Sequence, residues 1–292
     1  MAVLPGRRAE LFASGLYFGE CPRWHDGRLW YSDFFDHGVF SLGEAGDCRK
    51  EVEFPGEPAG LGWLPDGRLL IVSRLDRSVM RVEPDGSLVT HGTLSPWAGF
   101  YGNDMTVSSS GQAYVGNFGF DLDALLEGEP GIGVSTTSLV RIDPDGTSHE
   151  AAPDISFPNG TVIWPDGSRL AIAESTASRI SVFDLGPGGI LSNRRVWADL
   201  PGYAPDGICL DLQGCIWVAN ALGKECVRVA EGGEVVDRVT TEQFCYACML
   251  GGSDRRTLYI LTAETSVASV ARESREGHVV VSDVDVPGAG LP

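Results

Sequence analysis

Short hydrophobic strands that follow a glycine-containing turn recur along the whole chain. Six copies of this pattern can be aligned, and in most of them the turn contains Asp-Gly or another Gly pair and leads into an apolar or aromatic run. The copies begin at His25, Pro65, Ser110, Pro165, Leu212 and Ser253. Asp and Gly both tolerate positive φ, and runs of β-branched and aromatic residues form strands. Each copy therefore predicts one half of a β-hairpin.

The spacing of these turns predicts a repeat architecture. The turn glycines 27, 67, 111, 167 and 214 are 40, 44, 56 and 47 residues apart, and propeller blades repeat every 40–50 residues. A further strand follows each turn, as in residues 79–82 and 139–142. We therefore expect an all-β fold, a six-bladed β-propeller that forms a single domain over residues 1–292, with an irregular β-sandwich as the alternative.

The longest interval between turns contains an insertion at about residues 118–138. Helical spacing of apolar residues is confined there to a short stretch at 121–127. Loops longer than about 12–15 residues in compact domains are usually functional or disordered. We expect this segment to be a lid over the mouth of the propeller, and a surface excursion is the alternative.

The residues that begin the innermost strands form a pattern of their own. In a propeller these residues face the central tunnel, and the six equivalent positions are Glu20, Ala59, Asn103, Asn159, Asp206 and Ala247. Two carboxylates and two amide oxygens suit a hard divalent cation such as Ca²⁺, Mg²⁺ or Mn²⁺, and the two alanines would leave room for a ligand. The pattern predicts a central-channel metal site. Ordinary Asn-Gly and Asp-Gly turns are the alternative interpretation.

Composition restricts the partners of the chain. With 22 Lys and Arg against 40 Asp and Glu, the formal charge is -18, which disfavours nucleic acid and anionic membranes as partners. Pro5 and Gly6 interrupt the N-terminus before an apolar run develops, so no secretory signal is expected and the location predicted is cytoplasmic. We expect a monomer or weak homo-oligomer. The Cys245 and Cys248 pair is interpreted as packing thiols, with a disulfide or soft-metal role as the alternatives.

Several short motifs together carry a family resemblance. They are Glu-Cys-Pro-Arg-Trp at 20–24, Gly-Asn-Asp at 102–104, Phe-Pro-Asn-Gly at 157–160, Pro-Asp-Gly at 205–207 and the tail at 286–290. In this order and spacing the sequence resembles the gluconolactonase and regucalcin (senescence marker protein) family of six-bladed propeller hydrolases. The resemblance implies that Glu20, Asn159 and Asp206 hold a divalent metal, and that Asn103 either joins them or contacts the substrate. It also implies hydrolysis of a lactone or a related ester.

One departure from the family pattern bears on the substrate. In family members that act on sugar lactones, the third motif resembles Arg-x-Asn-Asp. This chain has Tyr101 in the position of that arginine. The acidic residue that follows the next strand in those members is also replaced, in the stretch around Asn117. We therefore expect a less polar lactone than a sugar aldonolactone, with Tyr101, Asn117, Phe118 and Phe120 as candidate pocket walls. Blade packing is the alternative for all four, and for the two phenylalanines it is favoured at least equally.

The expected chemistry uses one divalent cation as Lewis acid on the lactone carbonyl. Ca²⁺ is the first expectation, and Mn²⁺, Zn²⁺ and Mg²⁺ are alternatives. Asp206 is the candidate catalytic residue, as general base towards water or as direct nucleophile. Two other classes of function stay open: a phosphotriesterase-like or recruited biosynthetic enzyme on the same metal site, and a non-catalytic calcium- or ligand-binding propeller.

Overall fold

Six antiparallel sheets arranged around a common axis make up the protein. A computed structural model describes residues 6–290. The innermost strands of the sheets contact one another in cyclic order, and the sixth contacts the first. This closed ring confirms the six-bladed β-propeller. The single-domain prediction for 1–292 extends beyond the structure at both ends, since residues 1–5 and 291–292 lie outside the described part.

Blades 1 to 3 each consist of four sequential antiparallel strands. Blade 1 is formed by β3 (Gly19–His25), β4 (Arg28–Asp33), β5 (Gly38–Gly43) and β6 (Cys48–Glu53). Blade 2 is formed by β7 (Pro58–Trp63), β8 (Leu69–Ser73), β9 (Ser78–Val82) and β10 (Leu88–Thr93). Blade 3 is formed by β11 (Gly102–Val107), β12 (Ala113–Asn117), β13 (Thr137–Ile142) and β14 (Ser148–Ile155).

Blade 4 repeats this order, whereas the last two blades also use the N-terminus. Blade 4 is formed by β15 (Pro158–Ile163), β16 (Arg169–Glu174), β17 (Arg179–Leu185) and β18 (Leu191–Asp199). Blade 5 is formed by β19 (Pro205–Leu210), β20 (Ile216–Asn220), β21 (Glu225–Val229), β22 (Val235–Thr240) and the parallel β1 (Arg7–Arg8). Blade 6 is formed by β23 (Phe244–Gly251), β24 (Thr257–Ala263), β25 (Gly277–Asp283) and β2 (Glu10–Leu16).

Burial along a blade explains why these segments pair as they do. The second strand is the most apolar: every residue of β8 and of β20 is buried between neighbouring blades. The outermost strand of blade 1 is instead almost entirely exposed and carries Arg49, Lys50 and Glu51. Charged outer strands protect the sheet edge against pairing with another chain. The apolar inner strands therefore form the core, and the polar outer strands form the rim.

The first of the repeated turns has the geometry that its Asp-Gly sequence indicates. In blade 1 both Asp26 and Gly27 have positive φ, at 49° and 72°, as a two-residue type I′ hairpin requires. This turn brings β3 and β4 into register, with His25 opposite Arg28. The Asp-Gly signal therefore predicted a real hairpin.

Helical structure is sparse in the described chain. The inserted segment 118–138, for which the sequence predicts a lid and which is called the lid segment below, contains the short α-helix α1 (Leu122–Leu126). The second helix, α2 (Ala268–Ala271), lies between β24 and β25. Short 3₁₀ turns occupy Ser175–Ala177 and Pro187–Gly189. The side chain of Asp121 caps α1 by accepting a hydrogen bond from Ala124 N–H at 3.0 Å, which fixes where this helix begins. None of the helices between residues 6 and 290 is long and apolar enough to span a lipid bilayer.

Candidate metal centre and substrate cavity

A cavity of about 540 Å³ lies at one end of the ring, where the inner strands begin. All six blades contribute a side chain to its wall. These side chains are Glu20, Arg74, Asn103, Asn159, Asp206 and Tyr246. The four oxygen-bearing residues predicted from the sequence as a ring, Glu20, Asn103, Asn159 and Asp206, thus line one and the same cavity.

A common irregularity of the inner strands presents these four side chains. Each is the second residue of its inner strand, and the pairing with the next strand is interrupted there, as between Glu20 and Arg23 or between Pro205 and Ile208. The same shift occurs in β11 and β15. β-Bulges re-aim side chains next to functional sites. The interruption lets the second residue face the cavity, while the rest of the strand stays in its ladder.

The two asparagines are held by their amide nitrogens. Nδ2 of Asn103 donates to the carbonyl oxygen of Pro158 at 3.2 Å, and Nδ2 of Asn159 donates to Oγ of Ser175 at 3.2 Å. Ser175 in turn donates to the carbonyl oxygen of Pro205 at 2.7 Å. Because the nitrogens are engaged, the amide oxygens are the atoms left to coordinate a ligand. The contact with the Pro158 carbonyl ties blade 3 to blade 4, and the contact with the Pro205 carbonyl ties blade 4 to blade 5.

The two carboxylates are buried without an ionic partner. Neither Glu20 nor Asp206 forms an ion pair with any residue in the range 6–290. Burial raises the pKa of Glu20 to about 8, with the charge of Asp104 adding to this effect and the Cys21 N–H and Arg23 opposing it. Burial, followed by the charges of Glu20 and Asp104, raises the pKa of Asp206 well above its usual range. A bound cation would reverse both effects.

Behind the ring lies an ion pair that sequence reasoning missed. Nη2 of Arg23 contacts Oδ1 of Asp104 at 2.6 Å, and both side chains are almost fully buried. Arg23 also donates to the carbonyl oxygens of Pro22 and Met105. This pair is neutral as a unit, so ionised Glu20 and Asp206 leave two negative charges. That charge matches one divalent cation.

The donor set therefore fits a hard divalent cation. Two carboxylates and two amides are oxygen ligands of the kind that Ca²⁺, Mg²⁺ and Mn²⁺ prefer. Across residues 6–290 there is no cluster of three or more His, Cys, Asp or Glu side chains arranged as metal ligands. A centre at this position thus depends on the two amide oxygens as much as on the two carboxylates.

Most of the remaining wall is apolar. Aromatic rings from five blades surround the ring of oxygen donors: Phe18, Phe34, Phe35, Phe118, Phe157, Tyr203 and Tyr246. At the mouth, Leu126 and Val134 of the lid segment face the cavity and are 42% and 54% exposed, and Leu222 is 72% exposed. Large exposed apolar side chains around a cleft are typical of ligand-binding grooves and interaction surfaces.

The predicted pocket walls do not all lie where the sequence put them. Phe118 lines the cavity and packs edge to face on Phe157, with ring centroids 5.1 Å apart. Phe120 also packs on Phe157, but behind the wall. Asn117 is fully buried inside blade 3, where Oδ1 accepts hydrogen bonds from Gly99 N–H and Thr137 Oγ and Nδ2 donates to the Ser138 carbonyl. Asn117 therefore hydrogen-bonds within blade 3 and does not line the cavity.

Tyr101 also lies behind the cavity wall. Its ring does not line the cavity but lies under the guanidinium of Arg74, with the guanidinium carbon 4.9 Å from the ring centroid. Arg74 itself lines the cavity, and it follows directly after β8 of blade 2. Position 101 thus has a tyrosine in place of an arginine, and the arginine that lines the cavity next to it, Arg74, comes from another blade. No local motif distinguished Arg74 in the sequence, because its position depends on contacts with three separate segments.

The other candidate groups do not line the cavity. Ala59 and Ala247 are fully buried and do not line the cavity, so the space expected beside them is taken up by blade packing. Cys245 and Cys248 are buried free thiols. Within residues 6–290 the cavity wall contains no histidine.

Comparison with known proteins agrees with the fold and the motif order. The sequence profile of the SMP-30/gluconolactonase/LRE-like region matches residues 18–264. A 6-deoxy-6-sulfogluconolactonase from Pseudomonas putida is 24% identical over 94% of both chains, and a pentonolactonase from Haloferax volcanii is 27% identical over 84% of this chain and 81% of its own.

Among solved structures, a calcium-binding regucalcin from Agrobacterium tumefaciens superposes with a TM-score of 0.82 at 20% identity, covering 100% of this chain and 99% of that one. This likeness extends over all six blades and supports the architecture described above. The profile match includes the inner strands that carry Glu20, Asn103, Asn159 and Asp206. The chain belongs to the SMP-30/gluconolactonase/LRE-like family.

Proposed function

We propose that this protein is a divalent-metal-dependent hydrolase that opens a lactone ring. The observation that carries the proposal is the convergence of Glu20, Asn103, Asn159 and Asp206 on one cavity of a family propeller. Relatives with names that specify lactone hydrolysis, among them the sulfogluconolactonase and the pentonolactonase, match most of the chain. These names support the reaction class, while the donor set supports the metal requirement.

The four ring residues would hold the cation, with Ca²⁺ as the first choice and Mn²⁺, Zn²⁺ and Mg²⁺ as alternatives. When bound, the cation supplies Lewis-acid polarisation of the ester carbonyl. Asp206 is the residue proposed to accept the proton of the attacking water, since its carboxylate lines the cavity and has no arginine or lysine partner to hold it. Direct attack by the same carboxylate is the alternative role.

The substrate proposed is less polar than a sugar aldonolactone. Seven aromatic side chains and three exposed aliphatic side chains line the cavity and its mouth, which favours a lactone with an aromatic or aliphatic body. Burying such a body contributes roughly 25 cal/mol per Å² of apolar surface. An aldonolactone, with a hydroxyl on nearly every carbon, would place part of these hydroxyls against aromatic and aliphatic side chains that offer no hydrogen-bond partner.

The test is a lactone panel measured on chelator-treated protein, with each cation added back. We expect turnover to depend on the cation and to favour dihydrocoumarin over gluconolactone. Asp206→Asn should lower kcat/KM by at least about 100-fold. Asp26→Asn is the matched control, because Asp26 is 87% exposed in a type I′ turn where Asn is equally suited. Intact lactones in the presence of a bound cation would overturn the reaction, and preference for gluconolactone would overturn the substrate class.

A further inference from the structure

Arg74 is the one arginine or lysine in the cavity wall formed by residues 6–290. Its side chain is 3% exposed and lies against three aromatic rings. The guanidinium carbon is 5.5 Å from the Phe34 centroid, 4.9 Å from that of Tyr101 and 5.0 Å from that of Phe118. Aromatic faces on several sides fix the plane of the guanidinium without using its N–H groups. The geometry thus preorganises a cation at the cavity surface.

Two carboxylates share this guanidinium, and they differ in kind. Nη1 of Arg74 forms a close hydrogen bond with Oε2 of Glu57, which is buried and is also bound through Oε1 by Arg272 at 2.8 Å. Nη2 of Arg74 reaches both carboxylate oxygens of Asp123 at 3.2 Å. Glu57 is therefore the buried counter-ion that holds Arg74 in place. Asp123 makes longer contacts and keeps about a quarter of its side chain exposed.

Asp123 reaches Arg74 from the lid segment. It lies in α1, and both it and the neighbouring Leu122 line the cavity. The charges of Glu57 and Asp123 balance those of Arg74 and Arg272, so withdrawal of Asp123 leaves one positive charge at the cavity wall. A carboxylate that pairs with a cation in a cavity wall through long, partly exposed contacts occupies the space that an anionic ligand group would use.

We propose that Arg74 is a specificity-determining residue that binds an anionic group carried by the substrate, and that Asp123 is the lid counter-ion which this group displaces. The substrate class is then an apolar or aromatic lactone with a second, acidic substituent. This inference rests on the proposed lactone hydrolysis for its kinetic test, and a binding measurement tests it independently.

The kinetic test compares three dihydrocoumarins that differ in one substituent: neutral, carboxylated and sulfonated. The quantity measured is the ratio of kcat/KM for each acidic lactone to that for the neutral one. We expect Arg74→Met to lower this ratio by about 30-fold, the loss of one or two charge-assisted hydrogen bonds. Asp123→Asn should raise it by several fold, because the competing charge is removed. If the ratio is unchanged in Arg74→Met, the proposal fails.

Two further variants separate recognition from folding. Arg272→Met is the matched control, because Arg272 is the other arginine that pairs with Glu57 but does not line the cavity. This variant should leave the ratio unchanged. Arg74→Lys keeps the positive charge but loses the planar guanidinium that can donate two parallel hydrogen bonds, and it should retain part of the selectivity. An equal fall of the ratio in Arg272→Met would assign the effect to packing around Glu57 and overturn the proposal.

The independent measurement is calorimetric binding of 3-phenylpropionate, with 3-phenylpropanol as the neutral partner, to chelated and to Ca²⁺-loaded protein. We expect the acid to bind at least tenfold more tightly than the alcohol to both forms, and Arg74→Met to remove the difference. Binding of the acid that requires Ca²⁺ and is insensitive to Arg74→Met would place the carboxylate on the metal ring, and the proposal would be wrong. A lack of lactone turnover with Arg74-dependent acid binding would contradict the hydrolase proposal alone.

Discussion

Ser175 is the hydrogen-bond partner that orients Asn159, one of the four oxygen-bearing residues of the cavity. Its hydroxyl accepts a hydrogen bond from the amide of Asn159 and donates to the carbonyl oxygen of Pro205 in the next blade. The hydroxyl thereby fixes which end of the Asn159 amide faces the cavity. It also connects Asn159 to the strand that carries Asp206. Outer partners of this kind orient metal ligands and contribute to affinity.

Replacing Ser175 by alanine should therefore weaken cation binding. We expect Ser175→Ala to raise the Kd for Ca²⁺ about tenfold, because the amide of Asn159 loses the partner that orients it. Calorimetric titration of chelated protein measures this change. Ser168→Ala, an exposed serine in a turn of the same blade, should bind Ca²⁺ as the wild type does. An unchanged Kd in Ser175→Ala would show that Ser175 does not orient the ligand.

Individual residues also mark the limit of sequence reasoning at the site. The set of four oxygen-bearing residues that line the cavity could be predicted, because each of them is the second residue of an inner strand. Asn117 stands at the end of β12 and shares no such position, and its amide hydrogen-bonds within blade 3. Arg74 was missed because its position is determined by Glu57, Tyr101 and Asp123, which are far from it in the sequence.

At the scale of the strand and sheet, blade 4 contains a buried carboxylate that joins three of its strands. Glu174 at the end of β16 has a fully buried side chain and pairs with Arg179 of β17 at 3.0 Å and Arg194 of β18 at 2.8 Å. Ser181 and the Ser156 N–H also donate to it. Burial opposes its ionisation, but these four donors outweigh burial and lower the pKa of Glu174 to about 2.

The buried Glu174 carboxylate and its four donors, called the Glu174 clamp below, should make the stability of blade 4 sensitive to acid. The carboxyl has a lower pKa when folded than its ordinary value of 4.5, so its contribution to stability is complete above pH 4.5 and is lost as the pH falls towards 2. We expect Glu174→Gln to lower the free energy of unfolding by about 2 to 3 kcal/mol at pH 7 and by less at pH 3. Urea denaturation at both pH values measures this difference.

The matched control for the clamp is Glu242→Gln. Glu242 is 78% exposed and pairs with Arg8 at the surface, so its loss should change the free energy of unfolding by less than about 0.5 kcal/mol at either pH. An equal effect of Glu174→Gln at pH 7 and pH 3 would contradict the assignment of its stability to the ionised carboxylate.

At the scale of the whole molecule, the ring is closed by the N-terminus. Strand β2 completes blade 6 by pairing with β25, and β1 extends blade 5. The six recurring turn-and-strand copies predicted the number of blades, because each copy is a local signal repeated in the sequence. The closure could not be predicted in this way, since the strands that meet lie at opposite ends of the chain and no local pattern links them.

Closure by β2 predicts different costs for two leucines of the same strand. Leu16 is 5% exposed and packs in the core between blades 6 and 1, whereas Leu11 is 62% exposed. We expect Leu16→Ala to lower the free energy of unfolding by about 2 to 4 kcal/mol through the lost burial and the cavity that remains. Leu11→Ala should change it by less than about 0.5 kcal/mol. Equal effects would mean that β2 does not seal the ring through its buried face.

The central claim is that Glu20, Asn103, Asn159 and Asp206 together hold one divalent cation at the centre of the propeller. Anomalous diffraction from crystals soaked in Mn²⁺ tests this claim most directly, because it locates the ion without relying on turnover. The account predicts one strong anomalous peak in the cavity, within coordination distance of an oxygen of each of the four side chains. Absence of a peak at saturating Mn²⁺, or a peak bound by other residues, would contradict it.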